Sequence, residues 1–228
     1  MPSYACPSCG APIQFRSSFS VYAVCSYCSS TVLRTDRDVS LIGKQADLPD
    51  EISPLQVGAG FTFRKVRFSL LGRVRMGWAD GAWTEWFVDS QTRKAWLSDA
   101  QGFLALCFED AVPRGLAGPL PPLGEVIEIG KQPFRVSDIK QAACLGSEGE
   151  LPFPAPRGRR ATYLDMVSPT GGFAGLEQAE EGRRLYVGEY VEFDALAFTG
   201  LREVEGWTVP AERVGAGDPR LLPRLSPQ

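Results

Sequence analysis

The chain has 228 residues, a formal net charge of −3 at pH 7 and no histidine. This length allows about one to three domains, and a content of 44% hydrophobic and 22% charged residues is ordinary for a soluble globular protein. The lack of histidine excludes Ser-His and Cys-His catalytic pairs and a His-ligated catalytic zinc. The acidic net charge also lacks the basic character expected of a nucleic-acid-binding protein.

Hydropathy and cysteine usage bear on the compartment. No apolar run approaches the roughly 18–20 residues that a membrane-spanning helix needs, and the first residues do not resemble a secretory signal. Two of the six cysteines, Cys107 and Cys144, stand alone in apolar surroundings, whereas the other four form a metal-binding pattern. Thiolates that hold a metal must stay reduced, so we expect a cytoplasmic protein.

Two Cys-x-x-Cys pairs predict a metal site. Cys6 and Cys9 form the first pair and Cys25 and Cys28 the second, with fifteen residues between the pairs. Two such pairs supply four thiolates at the corners of a tetrahedron, the usual coordination of structural Zn²⁺. We therefore predict one structural Zn²⁺ per chain, held by a zinc ribbon over residues 1–38. Iron in a rubredoxin-like knuckle is the alternative, and four thiolates leave no open position for catalysis.

Short alternating runs predict the strands of this ribbon. We expect residues 11–16 and 19–25 to pair as a hairpin between the two cysteine pairs. Gly10, directly after Cys9, fits a turn position that needs a positive φ. Residues 39–54 lack a clear period and end in Ser-Pro, which indicates a linker.

Residues 55–112 are predicted to form a first β unit. Apolar and polar residues alternate over 66–78, as one long strand or as a hairpin that turns at Gly72. Further alternating runs separated by turn signals complete a meander of about four or five strands. Four prolines and three glycines in residues 113–124 then indicate a boundary.

The next segment, residues 125–213, is predicted to form a second β unit that repeats the order of the first. The Val57-Gly58 dipeptide resembles Ile129-Gly130, and Trp86 with its following residues resembles the run that starts at Tyr163. The match is weak residue by residue, but its order is preserved, and an internal duplication would explain this shared order.

No long helical period is present, so the predicted fold class is mainly β. An N-terminal zinc ribbon is followed by two small antiparallel meander or barrel-like units that an internal duplication would relate. Residues 139–145 and 176–182 are compatible with short helical turns. Residues 214–228 are predicted to form a poorly ordered tail.

Several unusual strings occur together along the chain. They are Cys-Pro-Ser-Cys-Gly at the ribbon, Val-Gly-x-x-Phe from Val57, Gly-Arg-Val-Arg from Gly72, Trp-Thr-Glu-Trp from Trp83 leading to Trp96-Leu97, Gly-Glu-Leu-Pro from Gly149 and Tyr-Val-Gly-Glu from Tyr186. With these strings the chain resembles a bacterial family defined by a domain of unknown function, number 4178, from Cys6 to about Val209. The resemblance implies an adaptor or regulatory role at the inner face of the membrane, beside membrane channels and membrane-stress factors.

A basic stretch is the candidate surface for a partner. Five bases fall within twelve residues without one acid, and on strands all but the first would share one face. Such a face could bind an acidic partner or anionic lipid, or it could be the ordinary solvated side of a sheet. The five residues are Arg64, Lys65, Arg67, Arg73 and Arg75.

Four acids are candidates for carboxylate chemistry. Glu85 stands between two tryptophans and shares a strand face with Trp83 and Phe87, so its pKa would rise if that face were covered. The second unit offers Glu148, Glu150 and Asp165. A polar pocket that joined these acids would favour an enzyme, whereas structural ion pairs are the simpler interpretation.

These patterns favour a non-enzymatic zinc-ribbon β-protein that acts as a protein-interaction or adaptor module, linked to membrane-associated or stress-response machinery. The expected partner is another protein, and peripheral membrane association is compatible with the sequence. One alternative is a nucleic-acid-binding ribbon protein, although three arginines against two aspartates and a thiolate-bound Zn²⁺ leave the ribbon slightly negative. The other alternative is a carboxylate-dependent enzyme.

Overall fold

The computed structural model describes residues 3–35, 38–44, 48, 52–100 and 102–207. These residues form antiparallel β-strands and no α-helix, which confirms the mainly β fold class. Helical structure in the described ranges is limited to two short 3-10 helices, Arg114–Leu116 and Asp194–Leu196, and neither has the length to cross a membrane. The predicted tail 214–228 lies outside the described residues.

The strands are numbered in chain order. In the N-terminal module, residues 3–44, they are β1 (Ser3–Ala5), β2 (Pro12–Gln14), β3 (Tyr22–Val24), β4 (Ser30–Arg34) and β5 (Val39–Lys44). In the first β unit they are β6 (Gly60–Phe63), β7 (Val66–Trp78), β8 (Gly81–Asp89), β9 (Lys94–Ala100) and β10 (Phe103–Asp110). In the second they are β11 (Val126–Ile129), β12 (Gln132–Leu151), β13 (Arg160–Val167), β14 (Gly172–Ala179) and β15 (Gly182–Val191).

Eight of these strands close into one antiparallel barrel. The hydrogen-bonded order within the described residues is β7, β8, β9, β10, β15, β14, β13 and β12, and β12 pairs back to β7. Each predicted β unit therefore supplies four neighbouring strands, and the two units meet at two seams, β7–β12 and β10–β15. The predicted domain boundaries themselves stay a prediction, but both meanders share this barrel.

The two units repeat the same strand plan. In each, a short strand pairs with a long one through a matching apolar contact pair, Phe61 with Phe68 and Ile127 with Phe134. The long strand then carries a register shift, between Leu70 and Gly72 in the first unit and between Val136 and Asp138 in the second. This shared irregularity supports an internal duplication of the architecture.

The structure corrects the residue alignment that the sequence suggested between the two units. The backbone N–H of Gly58 donates to Leu70 at 2.8 Å, and that of Gly124 donates to Val136 at 2.9 Å. Gly58 therefore corresponds to Gly124 and not to Gly130. The error arose because Gly130 lies in the hairpin turn after β11, a position where glycine is common irrespective of the repeat.

The apolar clusters on the outside of the barrel sheet, called the outer core, are completed by the two 3-10 helices. Leu116, in the 3-10 helix that follows the first unit, is fully buried in a cluster with Phe134 and Leu164 of the second unit. Leu196, in the 3-10 helix that follows the second unit, is buried in a cluster with Phe68 and Trp86 of the first unit. Neither unit thus has a complete apolar core of its own.

Two local predictions were wrong in the β units and the ribbon. The sequences of residues 139–145 and 176–182 are compatible with short helical turns, but the first segment lies in strand β12 and the second in β14 with the following turn. Their alternation is hidden because the face inside the barrel carries polar side chains such as Lys140 and Glu177. The expected hairpin of 11–16 with 19–25 is also wrong, because β2 pairs with β1, and β3 pairs with β4 and β12.

The segment predicted as a linker contains an ordered strand. Residues 39–44 form β5, which pairs with β4 at the edge of the sheet. Residues 45–47 and 49–51 of the same segment lie outside the described residues. The missing period in this segment follows from its exposure, since five of the six residues of β5 are exposed to solvent.

Candidate functional site

Four cysteine sulfurs converge in the N-terminal module. The Sγ atoms of Cys6, Cys9, Cys25 and Cys28 all lie within 4.8 Å of one another. Cys6 and Cys28 are 3.7 Å apart, and Cys9 and Cys25 are 3.8 Å apart. None of the four forms a disulfide. The structure therefore brings together the ligands predicted from the two Cys-x-x-Cys pairs, and this group of thiols could hold a metal ion.

Both cysteine turns have the same backbone hydrogen bonds. Gly10 N donates to Cys6 O at 2.8 Å, and Ser29 N donates to Cys25 O at 2.9 Å. Gly10 has the predicted positive φ of 76°, and Ser29 takes the equivalent position with a φ of 57°. Each turn is thus a knuckle that aims two sulfurs toward the other knuckle.

The spacing of the sulfurs tests whether a metal fits. A tetrahedral site with Zn–S bonds of about 2.3 Å has sulfurs about 3.8 Å apart, close to the two measured pairs. The Sγ of Cys28 also hydrogen-bonds with the Ser30 hydroxyl at 3.2 Å, and side-chain and backbone hydrogen bonds with Ser30, together with the neighbouring thiols, lower the pKa of the Cys28 thiol to about 6. The backbone hydrogen bond with Ala11 lowers the pKa of Cys9, but hydrogen bonds with the other thiols and burial outweigh it and raise that pKa to about 12. Four sulfurs within 4.8 Å of one another thus fit a metal held by thiolates.

The barrel contains a second candidate site in its interior. Inward-facing side chains from all eight barrel strands line a cavity of about 410 Å³. Aromatic groups make up much of its wall, and Trp83 packs against the rings of Trp78 at 5.5 Å and Tyr163 at 5.1 Å between centroids. An eight-stranded barrel has room for one small ligand when side chains do not fill it.

Glu85 projects into this cavity from β8. Its Oε1 accepts hydrogen bonds from Trp83 Nε1 at 2.6 Å and from Ser98 Oγ at 3.1 Å. Burial raises the pKa of the Glu85 carboxyl to about 7, against the effect of these two donors. The sequence-based expectation that this residue shares a covered face with Trp83 and has a raised pKa is thus met.

A second carboxyl, Asp165, lines the same cavity from β13. Its carboxylate lies 3.5 Å from Lys140 Nζ, and Lys140 also contacts Asp138. Burial raises the pKa of Asp165. Burial lowers the pKa of Lys140, but its hydrogen bond with Asp138 and the charge of Asp165 outweigh burial and raise that pKa overall.

A further ion pair lies in the wall of the cavity. Arg159 contacts Glu177 from β14 and also lies 3.1 Å from Glu181. Sequence reasoning missed Glu177, Arg159 and Lys140, because they enter one cavity only when strands distant in the chain close the barrel. No local pattern marked them, because the other lining positions of β12 and β14, such as Cys144 and Phe173, are not charged.

The other two predicted acids lie outside the cavity. Glu150 is buried and accepts from Arg16 N at 2.7 Å, Arg16 Nε at 2.9 Å and Ser17 N at 3.3 Å, which ties the N-terminal module to the barrel. Glu148 forms an ion pair with Arg73 at 2.8 Å on the outer surface. Thus Glu85 and Asp165 share a cavity, whereas Glu148 and Glu150 form structural ion pairs.

The five basic residues do not share one face. Phe68 and Leu70, before the register shift in β7, pack in the outer core, whereas Val74 and Met76, after it, pack in the inner cluster. The shift thus reverses the alternation and puts Arg67 and Arg73 on opposite faces. Arg64 forms an ion pair with Glu189 at 2.6 Å, Arg75 donates to Thr84 at 2.8 Å, and Lys65 lies exposed in the turn before β7.

Cys107 and Cys144 also line the cavity, from β10 and β12. Burial raises the pKa of the Cys107 thiol, and it raises that of Cys144 to about 11. Both thiols therefore stay protonated near neutral pH and behave as small apolar groups.

Comparison with known protein families identifies a match over the barrel. The model of the family described as Domain of unknown function (DUF4178) matches residues 56–193, which is more than half of the chain and spans the eight barrel strands. No curated protein and no solved structure matches the chain. The N-terminal module with its four cysteines lies before the matched region.

Proposed function

We propose that this chain, which belongs to the DUF4178 family, is a non-enzymatic binding protein that takes a small molecule into its barrel and serves as an adaptor. The observation that carries the proposal is the cavity of about 410 Å³ inside the barrel. Its volume falls in the range of about 300–1,000 Å³ common for small-molecule sites, and its aromatic wall with a few converging charges is the usual lining of such sites.

In this proposal the four cysteines hold one structural Zn²⁺. Four thiolates from two knuckles close the coordination shell, so the ion supplies folding energy to a module too small to hold itself together by its core alone. The module also packs against the barrel. Tyr22 of β3 packs in the same cluster as the cavity residues Met76 and Trp96, so the module covers one end of the barrel. Thiols that must stay reduced favour the cytoplasm.

The absence of an activated nucleophile supports a binding role over catalysis. The chain has no histidine, and the two cysteines in the cavity wall are held protonated by burial. Glu85 and Asp165 do share the cavity, which is the arrangement that a carboxylate-dependent enzyme would need. Sustained chemical conversion of a bound molecule, lost in Glu85→Gln, would favour the enzyme instead.

The cavity can be tested by filling it. Ala105 is buried and points into the cavity from β10, so Ala105→Phe is expected to occupy the space. We expect wild-type protein to bind the neutral fluorescent probe N-phenyl-1-naphthylamine, and Ala105→Phe to lose at least about tenfold in affinity while remaining folded. Ala111→Phe, at an exposed position, is the matched control. Absence of probe binding, or equal binding by both variants, would contradict the proposal.

The adaptor role is supported by the edge strand β5. Within the described residues β5 pairs with β4 alone, and its Leu41 and Ile42 are 50% and 47% exposed. An exposed edge can accept an extended segment of a partner protein as an additional strand. A photo-crosslinker at Ile42 is expected to join β5 to one extended partner peptide in cells, and cross-links scattered over unrelated proteins would contradict this role.

A further inference from the structure

The charges in the cavity wall are unequal. Three carboxylates line it, Glu85, Asp165 and Glu177, against two bases, Lys140 and Arg159. Both bases are already shared between two acids, since Lys140 contacts Asp138 as well as Asp165, and Arg159 contacts Glu181 as well as Glu177. Acids therefore outnumber bases by one in the cavity lining itself, while Arg184, whose guanidinium lies 4.2 Å from the centroid of the Phe153 ring, stands next to the lining on β15.

Glu85 is the acid without a cationic partner. Among the described residues, no Lys or Arg nitrogen forms an ion pair with it, and its two hydrogen bonds come from the neutral donors Trp83 and Ser98. Both donors reach Oε1, and within the same residues no hydrogen bond reaches Oε2. A carboxylate buried without a cation is costly to keep ionised unless something else supplies the charge.

Aromatic rings stand beside this carboxylate. Trp83 holds Oε1 through its indole N–H, and its ring packs at 84° to Tyr163 and at 51° to Trp78. All three rings line the cavity, and the Trp78 ring already attracts one cation, since Lys140 Nζ lies 5.4 Å from its centroid. Aromatic faces attract cations, and sites for quaternary ammonium groups are commonly built from several such rings.

We infer that the ligand of this cavity is a small organic cation, a protonated amine or quaternary ammonium compound, with its charge beside Glu85 and its apolar groups against the aromatic wall. This inference rests on the proposed small-molecule site. The bound cation supplies the missing counter-charge, while the rings replace part of the water that it loses on entry. Within the cavity lining, an anionic ligand would instead have to separate Lys140 or Arg159 from their carboxylates.

Three probes of one shape and different charge test the inference. Phenyltrimethylammonium, tert-butylbenzene and benzenesulfonate are cationic, neutral and anionic respectively. Binding is followed by tryptophan fluorescence at pH 8, where Glu85, with a pKa of about 7, is mostly ionised. We expect the cation to bind at least about tenfold more tightly than the neutral compound, and the anion to bind least.

Variants identify the group responsible. Glu85→Gln is expected to bring the affinity for the cation down to that for the neutral compound and to leave the latter unchanged. Glu85→Asp keeps the charge and is expected to retain the preference, which separates charge from packing. Glu128→Gln, an exposed acid on β11, is the matched control with no effect. Thermal unfolding of each variant reports whether it is folded.

The outcomes separate this inference from the proposed function. If the neutral compound binds as tightly as the cation, or if the anion binds best, the cation inference is overturned while the small-molecule site stands. If Glu85→Gln keeps the full preference for the cation, the inference is also overturned. If none of the three probes binds and N-phenyl-1-naphthylamine does not bind either, the proposed function itself fails.

Discussion

Two acids of this protein, Glu85 and Glu150, show how one residue type serves different ends. Glu150 accepts from two backbone N–H groups and the Arg16 side chain, so its charge is fully paired where it is buried. Glu85 has neutral donors only, and burial raises its pKa to about 7. Paired acids of the first kind stabilise a fold, whereas a perturbed acid in a cavity indicates a binding or reaction site.

The raised pKa of Glu85 predicts a pH dependence of stability. Because its pKa is about 7 in the folded protein against 4.5 ordinarily, the folded state binds the extra proton between these values, and stability falls as pH rises through this range. The shift corresponds to about 3 kcal/mol. Glu85→Gln does not titrate, so its free energy of unfolding relative to wild type should rise by up to about 3 kcal/mol between pH 4.5 and 8.

Urea unfolding at pH 4.5, 6 and 8 measures this difference for wild type, Glu85→Gln and the control Glu128→Gln. Comparing slopes against pH removes the contribution of Asp165, which all three proteins keep. Parallel curves for wild type and Glu85→Gln would show that Glu85 is not held in a proton-binding environment.

Glu148 and Glu150 offer a matched pair at positions two apart on β12. Glu150→Ala leaves the partly buried backbone N–H of Arg16 and the buried one of Ser17 without their acceptor, and we expect a loss of about 3 kcal/mol. Glu148→Ala removes an ion pair whose acid is 50% exposed, and we expect a loss below about 1 kcal/mol. Chemical unfolding at pH 7 measures both, and equal losses would contradict the structural assignment of Glu150.

At the scale of elements, the two seams between the units depend on close backbone approach. A Cβ at Gly188 would lie 1.9 Å from the carbonyl oxygen of Leu106 across the β10–β15 seam. At the β7–β12 seam, a Cβ at Gly72 would lie 2.1 Å from that of Glu150, and one at Gly149 would lie 2.3 Å from that of Leu71. Such contacts are far below any tolerated separation, so glycine is required where the meanders meet.

Substitution at a seam should therefore open the barrel. We expect Gly188→Ala to destabilise the protein by more than about 3 kcal/mol, because backbone cannot move aside as a flexible side chain can. Gly175→Ala on β14 is the matched control, since its Cβ would make an ordinary contact of 3.6 Å with Phe173. Thermal unfolding compares the two, and a Gly188→Ala protein as stable as the control would show that the seam is loose.

The elements also show what the sequence could and could not predict. Local patterns sufficed for the cysteine knuckles and for strand structure over residues 66–78, because their information lies in neighbouring residues, but they left open whether Gly72 turns a hairpin, and β7 runs through it as one strand. The register shift in β7 could not be read from the sequence, and it moved Arg67 and Arg73 to opposite faces. The cavity was missed as well, because Glu85, Lys140 and Glu177 meet only through strand pairings between distant segments.

On the scale of the whole molecule, the N-terminal module and the barrel are joined. Val21 N donates to Leu151 O at 3.0 Å, β3 pairs with β12, and Glu150 binds Arg16 and Ser17. A ribbon that ended at residue 38 and was followed by a linker, as the sequence predicts, would fold independently of the β units. These contacts predict instead that loss of the module leaves a buried carboxylate uncompensated at one end of the barrel.

Metal removal tests this coupling. We expect a chelator to lower the thermal midpoint of the whole chain and to speed amide exchange in β3 and at the end of β12, because the metal fixes the knuckles that carry Arg16 and Tyr22. Elemental analysis should give about one zinc per chain. The Cys9→Ala variant is the control, since a chelator should change it little further. Loss of structure confined to the module would contradict the coupling.

The central claim is that the barrel interior is a ligand site. Trp78, Trp83 and Trp96 line the cavity, whereas Trp86 and Trp207 pack in the outer core. In ¹H–¹⁵N spectra of the labelled protein, titration with phenyltrimethylammonium is predicted to shift the indole N–H signals of the three cavity tryptophans, with Trp83 shifting most, and to leave those of the other two in place. Spectra that stay unchanged, or shifts at Trp86 and Trp207 alone, would contradict the account.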